Sequence, residues 1–266
     1  MISRSRPSPP RPWLPALRVA PLLLLLAAAA TAQDGAARAT GDPRAIALAE
    51  RLLDALGGQE ALDATRYVRF NFFGFRTHHW DRYTGRHRLE GQNREGVSYV
   101  VLHNVQTRQG DVWLDGVKQE GEARDQWLER AYGAWINDTY WLFMPYKLLD
   151  PGVNLAYDGE ETIDGVVYDK VKLTFDNVGL TPGDTYWAYL NRDTHLMDRW
   201  AYFLQGWEAD REPTHWWWRD WRRYGRILLS SKRINVADGR EAILGDIAVF
   251  DRLPDAVFDS PEPVTP

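Results

Sequence analysis

The chain has 266 residues, a formal net charge of −5 and no cysteine. Without thiols it forms no disulfide and carries no acylated lipoprotein anchor. Its acidic balance is the wrong sign for a partner gripped through phosphates, so no nucleic-acid partner is expected.

The first residues carry Arg4, Arg6, Arg11 and Arg18 and no acid before Asp34, followed by Leu22 to Leu26 and Ala27 to Ala30. That apolar run is shorter than the roughly 20 residues a spanning helix needs, and Ala30-Thr31-Ala32 supplies a small-x-small cleavage pattern. Residues 1–32 therefore read as a signal peptide cut after Ala32. With no paired arginine before the apolar run, the general secretory route is expected. The mature chain is expected in the periplasm, neither lipid-anchored nor integral to a membrane. It keeps 28 basic against 37 acidic residues, a net charge of −9.

Residues 33–41 are small and polar and read as a flexible lead-in. Asp42 then caps a helix with Pro43 at its first position, an apolar stripe through Ile46, Ala49, Leu52, Leu53 and Leu56, and a stop at Gly57-Gly58. From Tyr67 the period becomes two, with Val68, Phe70 and Phe72 on one face. Strands follow at His79 to Tyr83, Arg86 to Glu90, Val97 to Asn104 and Asp111 to Leu114, joined by Thr84-Gly85 and Asn93 to Gly96. Glu122 to Ala134 and Asn137 to Met144 predict a helical insert in two pieces, the second capped by Asn137 or Asp138 and stopped by Pro145. Strands resume over 153–157, 161–163, 166–175, 185–190, 195–204, 214–221, 226–235 and 242–250, separated by turns such as Asp164-Gly165 and Asp238-Gly239. Pro254, Pro261, Pro263 and Pro266 mark 254–266 as an irregular tail. Residues 42–253 form one domain, with no linker dividing it.

Ten or more strands in hairpin order, with one helix before them and a helical insert among them, predict an α+β fold that is mainly β. The expected form is an incomplete antiparallel β-barrel, a curved sheet whose concave face is covered by the N-terminal helix and the insert, with a cavity between.

Thirteen tryptophans are present, and only Trp13 lies in the leader. Aromatic rings of this kind line ligand cavities or anchor interfaces as readily as they fill cores. Trp216-Trp217-Trp218 makes both faces of its strand aromatic. The six histidines show no His-x-x-x-His spacing, and His78 or His79 with Asp81 is the one combination with ligand character, so no metal is expected. Most carboxylates sit in turns. A glycosidase-like pair among Glu160, Glu161, Asp184 and Asp198 has no motif behind it. No nucleophile elbow, phosphate loop or dinucleotide fingerprint appears, so neither an enzyme nor a cofactor is expected.

Gly57-Gly58-Gln59-Glu60-Ala61-Leu62 after an amphipathic helix, then a strand, resembles the start of many periplasmic proteins of the LolA/LolB-like superfamily of outer-membrane lipoprotein carriers. The block Trp135 to Leu148, with Asp150-Pro151-Gly152-Val153 behind it, is similar to an envelope branch of that superfamily. The resemblance implies an incomplete barrel with a helical lid over a cavity that receives acyl chains.

The expected function is that of a soluble periplasmic carrier or sensor, holding a lipid, an acylated lipoprotein or another apolar ligand by burial and without bond chemistry. The lining residues expected are Phe70, Phe72, Trp141, Phe143, Leu173, Phe175, Trp187 and Trp200. An alternative is a module with a packed core that docks another envelope protein through Trp217, Arg219, Trp221 and Arg223. A cell-envelope or polysaccharide hydrolase is third.

Overall fold

A strand this short needs help to stay in place, and Thr40–Gly41 (β1) has it: it lies parallel to Asn154 and Leu155, with Gly41 at φ 128°. A Cβ on Gly41 would stand 2.0 Å from the Leu155 carbonyl oxygen, so only glycine fits. The computed structural model describes residues 38–176 and 178–264. The leader and residues 33–37 of the lead-in lie outside them, and the end of the segment read as flexible is this edge strand.

Thirteen more strands follow: Tyr67–Phe72 (β2), Arg76–Asp81 (β3), Arg86–Gln92 (β4), Ser98–Asn104 (β5), Gly110–Leu114 (β6), Val117–Lys118 (β7), Val153–Ile163 (β8), Val166–Phe175 (β9), Thr185–Asn191 (β10), Met197–Phe203 (β11), Thr214–Tyr224 (β12), Ile227–Asn235 (β13) and Glu241–Phe250 (β14). They make one sheet in the order β1-β8-β9-β10-β11-β12-β13-β14-β2-β3-β4-β5-β6-β7. Every neighbouring pair except β1–β8 is antiparallel. β14 pairs with β2, so the last strand joins the two hairpin series, while β1 and β7 remain as edges. The sheet is curved and open, not a closed barrel. The two strands expected at 153–157 and 161–163 are one, bent by a register shift between Tyr157 and Glu160.

Pro43–Ala55 (α1) starts where Asp42 accepts the Arg44 amide at 2.7 Å. Its buried face, Ala45, Leu48, Ala49, Leu52 and Leu53, packs into the main core with Val171, Leu173, Ala188 and Leu190 of the concave sheet face. Gly58–Asp63 (α2) follows directly. Replacing Asp42 with alanine is expected to cost about 1 kcal/mol by orphaning that amide, read as a shift of the urea midpoint.

The helical insert is a single helix, Gly121–Phe143 (α3), continued by a 3₁₀ turn at Met144–Tyr146. The break expected at Asn137-Asp138 does not occur, because the Asp138 carboxylate is used across the fold rather than as a cap. The N-terminal half of α3 covers Leu89, Tyr99, Val101 and Val112 with Leu128 and Ala131, and its C-terminal half enters the main core. Of the residues beyond Pro254, the described ones, 255–264, lie along the convex face. Ala256–Asp259 (α4) buries Val257 and Phe258 against Tyr67, and Arg88, wholly buried, donates to the carbonyls of Ser260 and Glu262 at 2.7 and 3.1 Å.

Candidate functional site

The turn Phe73-Gly74 joins β2 to β3 with Phe73 at φ 52°, a left-handed conformation that costs a bulky residue roughly 1–2 kcal/mol. The strained turn brings Phe73 to the Trp141 ring of α3 at 5.4 Å, edge to face, and Trp141 meets Trp216 of β12 at 5.4 Å in the same way. Phe73, Phe75, Trp141 and Trp216 on these elements, with Ala242 and Ile243 of β14, enclose a half-open cleft of about 740 Å³. That volume lies within the range of small-molecule sites. Phe75 and Ile243 stand 67% and 45% exposed at its mouth, beside Arg240, whose guanidinium lies 5.5 Å from the Trp216 ring centroid. The Asn71 amide is occupied within its own turn, its oxygen accepting the Gly74 amide and its nitrogen donating to Thr77.

Of the eight residues expected to line a cavity, Trp141 lines this one. Phe70, Phe72, Phe143, Leu173 and Trp200 are buried in the main core, and Phe175 packs on its margin. Trp187 is on the other face. Ala188 sits opposite Trp200 in register, so Trp187, its chain neighbour, points outward to pack with Tyr168 and Tyr189. Phe73, Phe75 and Ile243 escaped the sequence reading because they lie in a turn and near a strand end. The φ-demanding Phe-Gly pair between two strands is the signal that marks them.

The four residues expected to dock a partner do not form one patch. Trp217 and Arg219 share the convex face, with the guanidinium 4.2 Å from the ring centroid. Trp221 packs against the main core, and Arg223 donates to the Arg226 carbonyl at the β12–β13 hairpin. The carboxylates considered as a hydrolytic pair have separate partners: Arg192 for Glu160, Thr181 for Asp184, Asn191 for Asp198 and Lys170 for Glu161.

Beneath α3 lies a polar chain that sequence reasoning did not assemble. On the concave face, His78 of β3, His87 of β4 and His103 of β5 are 0%, 1% and 5% exposed. Asp138 accepts from Arg76 at 2.5 and 2.7 Å and from His78 Nε2 at 2.7 Å. His78 Nδ1 is 3.0 Å from His87 Nε2, and His87 Nδ1 is 2.7 Å from His103 Nε2. An ionised carboxylate only accepts, which fixes each neutral imidazole as the Nε2–H tautomer, donating toward Asp138. The chain ends on His103 Nδ1, buried without a partner. Burial pushes the His78 and His87 pKa values down, and that of His103 to about 4. Burial also works to raise the Asp138 carboxyl, but the hydrogen bonds from Arg76 and His78 outweigh it and hold it below the ordinary carboxylate range. His79 faces the convex side beneath the C-terminal segment, and Asp81 binds Arg66 at 2.9 Å. The two histidines, each considered as a ligand with Asp81, therefore lie on opposite faces, and the Asp81 carboxylate is taken by Arg66. Among the described residues no cluster of three His, Cys, Asp or Glu side chains is placed to hold a metal.

No protein-family model and no curated protein sequence matches the chain. Solved structures do. A DUF1329 family protein from Desulfovibrio piger aligns over 81% of this chain and 97% of its own, at 12% identity and a TM-score of 0.43. A LolA superfamily protein from Nitrosomonas europaea aligns over 79% and 97%, at 12% identity and 0.41. A domain described as an outer membrane lipoprotein-sorting protein, from Vibrio parahaemolyticus, aligns over 79% and 97%, at 11% identity and 0.38. Among the described residues of this chain no helix is long and apolar enough to cross a membrane.

Proposed function

We propose that this protein is a periplasmic carrier or sensor, exported by removal of residues 1–32, that holds a lipid, an acylated protein or another apolar ligand without bond chemistry. The observation that carries the reading is the half-open cleft of about 740 Å³ with an aromatic floor continuous with the core. An acyl chain laid against Phe73, Trp141 and Ile243 gains about 0.8 kcal/mol per buried methylene, so a dozen offset the cost of immobilising it. Phe75 and Ile243 provide apolar surface at the mouth for a chain to enter along.

Native mass spectrometry of the purified protein is expected to show co-purified lipid, or stoichiometric uptake of a pyrene-labelled fatty alcohol after delipidation. Ile243→Asp, at a half-exposed rim position, is expected to leave the fold intact and weaken that uptake about tenfold, because its carboxylate would be desolvated against the chain. A protein that is empty as purified and takes up no probe contradicts the reading.

A second reading, docking of another envelope protein, is favoured by the convex face of β9 to β12. There Lys172 stands over Trp187, Arg199 over Tyr189 and Trp217, and Arg219 over Trp217. Trp217→Ala separates the two readings, since it leaves probe uptake unchanged and removes such a partner from a pull-down.

A further inference from the structure

Arg233, on β13, is 0% exposed and sits opposite Trp218 and Ala242 in register, on the concave face just behind the cleft. Its guanidinium lies 3.3 Å from the Trp218 ring centroid. Nη2 donates to the carbonyl of Trp141, a cleft residue, at 2.6 Å, and Nη1 donates to Ser230 Oγ at 2.8 Å. Nε is buried with no partner, and no carboxylate among the described residues pairs with this cation. Burial pushes its pKa down, yet a guanidinium stays charged in a protein, and a buried charge without a counter-ion is strongly unfavourable.

A second cation stands at the mouth of the same cleft. Arg240 packs beside Trp216, and its only carboxylate neighbour in the lining, Glu241, is taken by Lys232 at 2.5 Å. On the same wall the indole Nε1–H of Trp216 is buried without an acceptor. In a chain that is acidic as a whole, the cleft therefore combines apolar walls with a surplus of positive charge and an unused donor.

We infer that the occupant is an anionic amphiphile, an acyl chain lying on Phe73, Trp141 and Ile243 with a carboxylate or phosphate head paired to Arg240. The inference rests on the reading of the cleft as an apolar-ligand site. Arg233 acts at a distance: its uncompensated charge behind the Trp141 wall makes the cleft favour an anion over a neutral molecule of the same length. Arg240 makes the direct contact, because it is the exposed one of the two.

Calorimetric titration of the purified, delipidated protein with dodecanoate, dodecanol, dodecyl phosphate and acetate tests this. Dodecanoate and dodecyl phosphate are expected to bind about fivefold or more tightly than dodecanol. Acetate is expected not to bind. Arg240→Gln, a surface substitution, is expected to bring the two anions to within about twofold of dodecanol. Dodecanol binding as tightly as the anions, or an anion preference of about fivefold or more that survives Arg240→Gln, overturns the inference and leaves the apolar-ligand reading standing. Failure of all three chain-bearing probes removes that reading and the inference with it.

Discussion

Asp138→Ala is expected to cost about 3–5 kcal/mol of folding stability, a large fraction of what a domain possesses, read as a lowered urea midpoint at pH 7. Asp138 is 0% exposed and receives four hydrogen bonds, two from Arg76, one from His78 and one from the neighbouring Asn137 amide. Removing it leaves the His78 Nε2–H without an acceptor in the core and strands the Arg76 guanidinium beside it. Because Asp138 is on α3 while Arg76 and His78 are on β3, the same change unpins the covering helix from the sheet. Hydrogen exchange is expected to show the amides of α3 exchanging faster than those of β2 and β14 in the variant.

Buried histidines on both faces of the sheet also set a pH dependence. His103 and His79 titrate near 4 in the folded chain against 6.5 in the unfolded one, in both cases chiefly through burial, with Arg88 and Arg69 adding to the effect at His79. Between those two values the unfolded chain binds protons that the folded chain does not, so stability rises with pH across the window and is lost as pH falls from about 6.5 toward 4. A shift of that size corresponds to about 3 kcal/mol for each of the two groups at 1.36 kcal/mol per unit. Below that, protonation of Asp138, whose carboxyl is held low by Arg76 and His78, removes a further contribution. Urea melts at pH 7, 5.5 and 4.5 are expected to show a steadily falling midpoint. His103→Phe is expected to flatten the upper part of that slope, since the titrating end of the chain is gone.

The second large effect is expected at Trp200. It is 1% exposed, and its ring meets those of Tyr140, Trp141, Tyr186, Tyr202 and Trp218 at centroid distances between 4.9 and 6.0 Å. Trp200→Ala is expected to destabilise by about 3–5 kcal/mol through lost burial and the cavity left behind. Trp187→Ala, one strand away and on the convex face, is expected to cost less than half as much. Thermal melts of the two variants side by side check the assignment of faces. Equal losses would mean that Trp187 is as deep in a core as Trp200.

Much of the fold is written in local pattern. The period-two run through Val68, Phe70 and Phe72, the turns at Thr84-Gly85 and Asp238-Gly239, and the Asp42-Pro43 start of α1 each depend on neighbours a few residues away, and each lies where the pattern places it. What depends on register was not legible. Trp187 and Trp200 look alike as strand aromatics, and only the pairing of Ala188 with Trp200 sends Trp187 to the convex face. The three histidines are spread along the chain from position 78 to 103 and become one chain only because Trp80 pairs with His87 and His87 with His103. Asp138 looked like a helix cap because Asn and Asp favour that position. A partner 62 residues away in sequence, Arg76, decided otherwise. The cleft hid for the same reason: its walls come from a turn after β2, the C-terminal turn of α3 and the strands that close the chain.

The most direct test of the central claim is where a bound chain lies. Photo-crosslinking of the delipidated protein with a fatty acid carrying a diazirine near its methyl end, followed by peptide mass spectrometry, reads that position. Labelling is expected on the peptides that contain Phe73 to Phe75, Trp141 and Ala242-Ile243, and Ile243→Asp is expected to diminish it. Labelling spread over the convex residues around Trp187 and Trp217, or label that Ile243→Asp leaves untouched, would contradict the account.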